Sequence, residues 1–345
     1  MTKRECASYT NRIEWIDTAK GICIILVVFN HVFLYLGLKE GTSPFIYNYL
    51  NSFRMPLYFF LSGVFFKTYG SFFIFIKKKT NKLIIPFLFF YITFSIIIPY
   101  LTIIAGYNYP YVSMDKSLLD FCLDFYFNNC QLVNGPLWFL ICLFNINVIF
   151  FTLYSFLNND YLILFISVTC GIIGLYFSYQ SVKIPMNIDT ALTCVPFFYF
   201  GYFIKNHTKI IIHTTRDNKL IWYSIVCGLS LTMLTGDVEF HTNSISQSSF
   251  LTVHIAGIIG TLMVILLSKR IGKIFLLSYL GRYSIIILCT HLLLIELFLP
   301  FFIRFLAPVP CLFVLFIIII ISELILIPSF IKYLPYVTAQ KDLFP

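Results

Sequence analysis

Three ionisable side chains share one face of the first apolar segment of the chain. Asp17, Lys20 and His31 follow the three- and four-residue spacing of a helical stripe that also contains Ile24 and Val28. A charge at membrane depth costs from about 3 to more than 10 kcal/mol, so such groups usually face a bundle interior or a water-filled cavity. The stripe therefore predicts a polar site inside a membrane helix.

The order of these side chains along the helix predicts separate roles for them. Lys20 and His31 would lie roughly 16 Å apart at about 1.5 Å per residue. A lysine near the cytoplasmic mouth suits an anionic ligand, whereas a deeper histidine suits removal of a proton from a hydroxyl. Asp17 would orient neighbouring groups or balance charge. In the alternative interpretation, Lys20 extends to the membrane interface and His31 only bonds a neighbouring helix.

Arg54 interrupts the second apolar segment near the depth expected for His31. It lies in the run Phe53-Arg54-Met55-Pro56-Leu57. Its guanidinium can hold an acyl carbonyl or a sugar oxygen and stabilise a developing oxyanion. Alternatively, it pairs structurally with an external carboxylate such as Glu40.

Two further groups of residues have both a functional and a structural interpretation. Five lysines precede the third apolar segment and suit the phosphates of a nucleotide-like cofactor, or they set topology and contact anionic lipid. Asn134 and Trp138 open the fourth segment and can contact a sugar, or Trp138 is a membrane anchor. His291 is either a helix-packing residue or a catalytic one. The cysteines and the other histidines lack metal-ligand spacing, so we expect no metal.

The composition places these residues in a membrane protein. Of the 345 residues, 59% are hydrophobic and 11% are charged, whereas a soluble domain has roughly 25% charged residues. The apolar runs are near the 20 residues that a helix needs to cross a bilayer. The net charge of +9 comes from basic residues spread over short loops, which argues against a nucleic-acid partner. We predict an all-α, polytopic integral membrane helical bundle in contact with lipid.

The predicted topology has about ten transmembrane helices with both termini in the cytoplasm. This arrangement places 18 of the 24 Lys and Arg residues on the cytoplasmic side and 4 outside, as the positive-inside rule requires. Residues 1–345 would form a single transmembrane domain without an appended soluble domain. The external stretches 106–135 and 237–250 either cover a substrate site or are plain connectors. The predicted spans are 15–37, 45–66, 84–105, 136–157, 161–180, 189–205, 220–236, 251–267, 283–300 and 310–330.

Four segments resemble motifs of membrane-bound acyltransferase family 3. The run Ile13-Glu14-Trp15-Ile16-Asp17-Thr18-Ala19-Lys20-Gly21, followed by His31, is similar to the opening of that family. The run from Phe53 to Gly63 resembles its second motif, especially in the fucose 4-O-acetylase-like branch, although Arg54 stands where that branch commonly has histidine. A third motif of the family resembles the run Gly135-Pro136-Leu137-Trp138-Phe139-Leu140. Leu280-Gly281-Arg282-Tyr283-Ser284 with His291 resembles a late one.

The resemblance implies an integral membrane O-acyltransferase that takes an acetyl group from cytoplasmic acetyl-CoA. The acceptor would be a hydroxyl of a cell-surface polysaccharide or its lipid-linked saccharide precursor. The basic residue and the essential histidine of the family correspond to Lys20 and His31, with lysine where arginine is frequent. Two cytoplasmic arginines of the family correspond to Lys79 and Lys82, which would bind the phosphates of acetyl-CoA.

The sequence leaves several alternatives to this prediction open. The acyl group can be succinyl or another acyl group, and a transporter or flippase for a glycan or lipid precursor is the alternative from another class. The absence of an internal repeat argues against a transporter. Both direct transfer and a transient acyl-histidine fit the residues. We expect a multi-pass protein of the cell membrane, with a bacterial cytoplasmic membrane as the expected location and a homodimer as one option for its assembly.

Overall fold

The computed structural model describes residues 14–41, 44–98, 126, 134–157, 159–207, 218–235, 237–245 and 250–344. These parts of the chain are almost entirely helical, as the composition predicts. Their helices, in chain order, are α1 Glu14–Tyr35, α2 Leu38–Gly41, α3 Pro44–Val64, α4 Phe72–Lys79, α5 Ile85–Ile92, α6 Trp138–Phe156, α7 Asp160–Tyr179, α8 Ile188–His207, α9 Asn218–Thr235, α10 Phe250–Ile271, α11 Phe275–Arg282, α12 Ser284–Phe302 and α13 Pro308–Tyr333.

Short irregular elements connect some of these helices. Two π-helical turns, Thr80–Ile84 and Thr93–Ile97, flank α5, and the 3₁₀ turns Gly135–Leu137 and Pro185–Asn187 precede α6 and α8. The strands β1 Val238–Glu239 and β2 Ser244–Ile245 pair antiparallel, with Val238 opposite Ile245. A third 3₁₀ turn, Phe240–Thr242, lies between the two strands and makes the stretch 237–245 a small hairpin.

Six of the described helices are long and apolar enough to cross a membrane, and they coincide with predicted spans. Three more predicted spans fall on α3, α8 and α9. Polar side chains such as Asn51, Arg54 and Asp189 lie within α3 and α8 and reduce their apolar character. The predicted span 84–105 begins at the end of the π-turn before α5 and continues beyond the described residues. Most of the external stretch 106–135 also lies outside the described residues. The full number of about ten spans and the cytoplasmic termini therefore stay predictions. The six spans are Trp15–Tyr35, Gly135–Phe156, Asp160–Tyr179, Leu251–Ile271, Ser284–Phe302 and Pro308–Tyr333.

Helix α1 occupies the centre of the bundle, where it contacts α3, α10, α11, α12 and α13. Two glycines let α1 and α11 touch backbone to backbone. A methyl group on Gly21 would collide with the carbonyl of Leu277, and one on Gly281 would collide with the carbonyl of Asp17. Small residues at helix contacts allow this close approach in membrane proteins. The contact fixes the N-terminal half of α1 beside α11.

Helices α3 and α8 form a second close contact of the same kind. A methyl group on Gly63 would meet the carbonyl of Phe198, and one on Gly201 would meet the carbonyl of Phe60. Between these helices and α6, Phe66 packs against Phe150 and Phe198 with ring centroids 4.9 and 5.9 Å apart. These contacts hold α3 in a fixed position relative to its neighbours.

Candidate active site

Two cavities open along one face of α1, at opposite ends of the predicted stripe. The first, which we call the His31 cavity, has a volume of about 220 Å³ and is lined by residues that include His31, Arg54 and Trp138. The second, the Lys20 cavity, has a volume of about 240 Å³ and is lined by residues that include Lys20 and Arg282. Leu288 of α12 lines both cavities. The cavities thus meet at one side chain, and each holds one end of the stripe.

His31 contacts a second histidine that is 260 residues away in the sequence. His31 Nδ1 lies 3.2 Å from Nε2 of His291 and 2.9 Å from the carbonyl oxygen of Val27. The Nδ1 atom of His291 lies 2.7 Å from the carbonyl oxygen of Ile287, and the side chain is fully buried. The two imidazole rings are 4.9 Å apart at their centroids.

These distances assign the tautomer that each histidine has in its neutral form. A carbonyl oxygen can only accept, so Nδ1 of His291 carries its proton and Nε2 is an acceptor. By the same reasoning Nδ1 of His31 carries a proton, which it shares between Val27 and the Nε2 atom of His291. The Nε2 atom of His31 is then the basic nitrogen. A histidine held in this tautomer is prepared to accept a proton at Nε2.

Arg54 is buried in the wall of the His31 cavity, with 5% of its surface exposed. Its Nε donates to the carbonyl of Leu50 at 3.0 Å, one terminal nitrogen donates to the carbonyl of Leu26 at 3.3 Å, and the other donates to Oδ1 of Asn51. No carboxylate among the described residues forms an ion pair with Arg54. The predicted alternative partner Glu40 has a side chain outside the described part of the structure.

A buried guanidinium whose hydrogen-bond partners among the described residues are neutral oxygens is suited to stabilise a negative charge. Burying an ion is costly unless another charge compensates for it. The carbonyl oxygens that accept from Arg54 belong to α3 and α1, so its position does not depend on a ligand. The arrangement can stabilise an oxyanion that forms during a reaction in the His31 cavity.

The hairpin 237–245 supplies the remaining polar wall of the His31 cavity. Glu239 and His241 line the cavity together with Tyr47 and Asn51. Glu239 Oε1 lies 2.8 Å from Nζ of Lys39 and accepts from the hydroxyl of Tyr47 at 3.2 Å. Burial acts to raise the pKa of Glu239, but the hydrogen bond from Lys39 and its positive charge lower the pKa below the ordinary value.

The structure separates the two residues predicted to contact a sugar. Trp138 is buried and lines the His31 cavity. Asn134 is also buried, but its amide nitrogen donates to the carbonyl of Cys289 at 2.7 Å and it is not part of the cavity lining. Asn134 therefore links the start of α6 to α12, beside Trp138.

At the Lys20 cavity, the hydroxyl of Tyr58 donates to the carbonyl of Lys20 at 3.1 Å and thereby links α3 to α1. The ammonium of Lys20 lies 5.6 Å from the ring centroid of Phe65. Asp17 lies one turn before Lys20 and lines neither of the two cavities. The stripe predicted from the sequence therefore reaches the cavities through Lys20, Ile24 and His31.

The two lysines predicted to bind phosphate have different surroundings. Lys82 Nζ lies 2.9 Å from Oδ1 of Asp342 and donates to the carbonyl of Ala339 at 2.8 Å. Lys78 binds the same carboxylate at 2.8 Å. Lys79 is half-buried over the ring of Phe75, at 5.5 Å from its centroid. Burial lowers the pKa of Lys79 to about 8.

Several residues of the site were not singled out by the sequence pattern. His291 was open to two interpretations, and only its place in the late motif pointed to the site. No pattern of spacing in the sequence points to Tyr47, Asn51 or Glu239. These residues come together only because α3 and the hairpin line the same cavity. Within the described residues, no group of three His, Cys, Asp or Glu side chains is arranged to hold a metal ion.

Comparison with known protein families gives one match. The family model described as an acyltransferase domain, acyltransferase family 3, matches residues 13–327, which include α1, both cavities and His291. No curated protein and no solved structure matches the chain.

Proposed function

The chain belongs to acyltransferase family 3, and from this premise we propose that it moves an acetyl group from cytoplasmic acetyl-CoA to a hydroxyl of a cell-surface glycan or its lipid-linked precursor. The observation that carries the proposal is the pair of cavities on one face of α1, which meet at Leu288. Two cavities that share Leu288 in their linings, one of them also lined by His31, suit a reaction between a donor and an acceptor that approach from different sides. The expected location is the cell membrane, and specifically a bacterial cytoplasmic membrane.

The donor would enter through the Lys20 cavity, with its phosphates at the lysine-rich end and its thioester directed toward Leu288 and His31. Lys20, Lys79 and Lys82 are the residues predicted to bind the phosphates. Of these, Lys20 lines the cavity, whereas Lys82 lies outside its lining and is paired with Asp342.

His31 would act as the general base in the transfer step. Its Nε2 atom accepts the proton of the acceptor hydroxyl while the hydroxyl oxygen attacks the thioester carbonyl carbon. The tetrahedral intermediate then collapses, the carbon–sulfur bond breaks, and the thiolate takes the proton from His31. An acetyl ester and free CoA are the products. In a two-step route the same nitrogen would carry the acyl group first.

Arg54 would stabilise the oxyanion of the tetrahedral intermediate. Its guanidinium lies in the wall of the same cavity as His31 and is held by neutral oxygens. Fixed donors in a site of low dielectric contribute strongly to acyl-transfer reactions. Asp17, which lies outside the cavity linings, would act by balancing charge near Lys20 and not by touching the reacting atoms.

The acceptor would bind between Trp138 and the hairpin 237–245. An aromatic ring in the same lining as a carboxylate and amide groups offers both stacking and hydrogen bonds, which suits a polyhydroxylated ring. Glu239 would accept hydroxyl hydrogen bonds, and Trp138 would cover an apolar sugar face. Asn134 would support this wall through its bond to α12.

Replacing His31 tests the proposed chemistry. The variant His31→Ala should lose acetyl transfer by at least about 100-fold, as expected for removal of a general base, while it still binds acetyl-CoA. His207→Ala is the matched control, because His207 is exposed and pairs with Asp160 away from both cavities. Transfer is measured as free CoA released from acetyl-CoA or succinyl-CoA by purified protein with a saccharide acceptor.

Two outcomes would contradict the proposal. Normal transfer by His31→Ala would remove the proposed base. Flux of a glycan precursor across vesicles without consumption of an acyl-CoA would instead support the transporter alternative.

A further inference from the structure

Helix α4 and the following π-turn present their lysines on two different faces. Lys78 and Lys82 are four residues apart and both bind Asp342. Lys79 and Leu83 are also four residues apart, and Leu83 lines the Lys20 cavity. Since residues at this spacing share a helix face, Lys79 lies on the side of the helix that leads to the cavity.

The C-terminal segment holds the face of Lys78 and Lys82 in place. Asn81 is fully buried, accepts from the backbone N–H groups of Leu343 and Phe344 at 3.0 and 2.9 Å, and donates to the carbonyl of Phe344 at 2.7 Å. The carboxylate of Asp342 completes this contact by pairing with both lysines. Lys78 and Lys82 therefore share one carboxylate of the chain itself as their counter-ion.

Arg282 supplies a cation on the opposite wall of the Lys20 cavity. It is the last residue of α11, is exposed, and forms no ion pair with any carboxylate that the structure describes. The backbone contacts of Gly21 and Gly281 hold this end of α11 against α1 beside Lys20. The position of Arg282 is thus fixed by helix packing and not by a charged partner.

We propose that Arg282, together with Lys20 and Lys79, binds the phosphate groups of the acyl donor at the mouth of the Lys20 cavity, and that Lys82 stays with Asp342. This assignment rests on the proposed function and specifies its donor site. An organic phosphate is the ligand class, because a guanidinium and two ammonium groups around one cavity mouth suit its several charged oxygens. The phosphate of an anionic lipid has the same chemistry, and the experiment below distinguishes lipid binding from donor binding.

The test measures acetyl-CoA binding to purified protein in nanodiscs of neutral lipid. Arg282→Gln should raise the Kd about tenfold, which is the loss of one charge-assisted hydrogen bond at an accessible site. It should leave the KM for acetyl-pantetheine, which has no phosphate, unchanged, and Arg282→Lys should recover part of the affinity. Arg270→Gln is the matched control, since Arg270 is exposed at the end of the neighbouring α10 and outside both cavities. Asp342→Asn should leave the Kd within about twofold, because Lys78 and Lys82 are not part of the site.

The outcomes separate this assignment from the proposed function. Failure of the wild-type protein to bind acetyl-CoA would overturn both the proposed donor and the assignment. In a second outcome, the wild type binds the donor normally while Arg282→Gln and Arg270→Gln give equal Kd values. That result would overturn only the assignment. Markedly tighter binding by Asp342→Asn would place the phosphate at Lys78 and Lys82 instead. A Kd that rises in nanodiscs of anionic lipid for the wild type, but not for Arg282→Gln, would assign Arg282 to lipid.

Discussion

Replacing His291 by asparagine should slow acyl transfer without weakening donor binding. His291 accepts a hydrogen bond from Nδ1 of His31 through Nε2, and its own Nδ1 is held by the carbonyl of Ile287. The amide nitrogen of asparagine can replace Nδ1 and keep the bond to Ile287, but the side chain is too short to reach His31. The substitution therefore removes one acceptor and leaves the local helix contact in place.

The size of the effect follows from the charge that His31 gains during the reaction. When Nε2 holds the hydroxyl proton, His31 is an imidazolium, and hydrogen bonds to charged groups contribute about 1.5–3 kcal/mol. Loss of such a bond corresponds to about 10- to 150-fold in rate. The carbonyl of Val27 remains 2.9 Å from Nδ1 and still holds the tautomer. We therefore expect the lower end of the range, about tenfold in kcat.

The matched variant is His291→Gln, whose amide oxygen can occupy the position of Nε2 and accept from His31. It should keep kcat within about threefold of the wild type, since the acceptor is restored. The assay is steady-state release of CoA, with kcat and KM for the donor determined separately and the thermal unfolding midpoint of each variant measured. Equal losses of kcat in the asparagine and glutamine variants, or a loss confined to KM, would refute the positioning role of His291.

Two further predictions follow from the lysine-rich end of the bundle. Burial lowers the pKa of Lys79 to about 8 from an ordinary value of 10.5, so its ammonium is charged below pH 8 and neutral above it. The Kd for acetyl-CoA should consequently rise as the pH increases from 7 to 9, and Lys79→Arg should remove this dependence because a guanidinium stays charged; a flat profile for the wild type would contradict a role for Lys79. Asn81→Ala should release the C-terminal segment, because the buried amide makes three hydrogen bonds to Leu343 and Phe344. We expect a cost of about 1–3 kcal/mol in stability and faster proteolysis near the C-terminus, and an unchanged cleavage rate and unfolding midpoint would count against this contact.

Much of the membrane scaffold is already determined by local sequence. Runs of about 20 apolar residues predict spans because the bilayer thickness sets their length, and six described helices coincide with such runs. The helical stripe of Lys20, Ile24 and His31 could be predicted for the same reason, since the helix period is a property of neighbouring residues. In the structure these three residues line the two cavities.

Helix α3 shows where local patterns stop being sufficient. Its Arg54 interrupts an apolar run, and the sequence leaves open whether it pairs with a carboxylate or faces a ligand. Among the described residues, carbonyls of Leu50 and Leu26 accept hydrogen bonds from Arg54 and its side chain lines the His31 cavity, whereas the side chain of Glu40 lies outside them. The carbonyl of Leu26 belongs to another helix, so no pattern within α3 could reveal the contact.

The sequence by itself determined the membrane class, the family resemblance and the polar face of α1. Composition, motif order and helix period can all be read without knowing which helices pack together. Only the tertiary structure decided the partner of each side chain. His31 meets His291 across 260 residues, and Lys82 meets Asp342 through a contact between α4 and the C-terminal segment. Such contacts form when separate helices pack, and their packing depends on small residues such as Gly21 and Gly281 that bring two backbones together. The polar face of α1 was therefore predictable, but the acceptor for its histidine and the carboxylate partner of Lys82 were not.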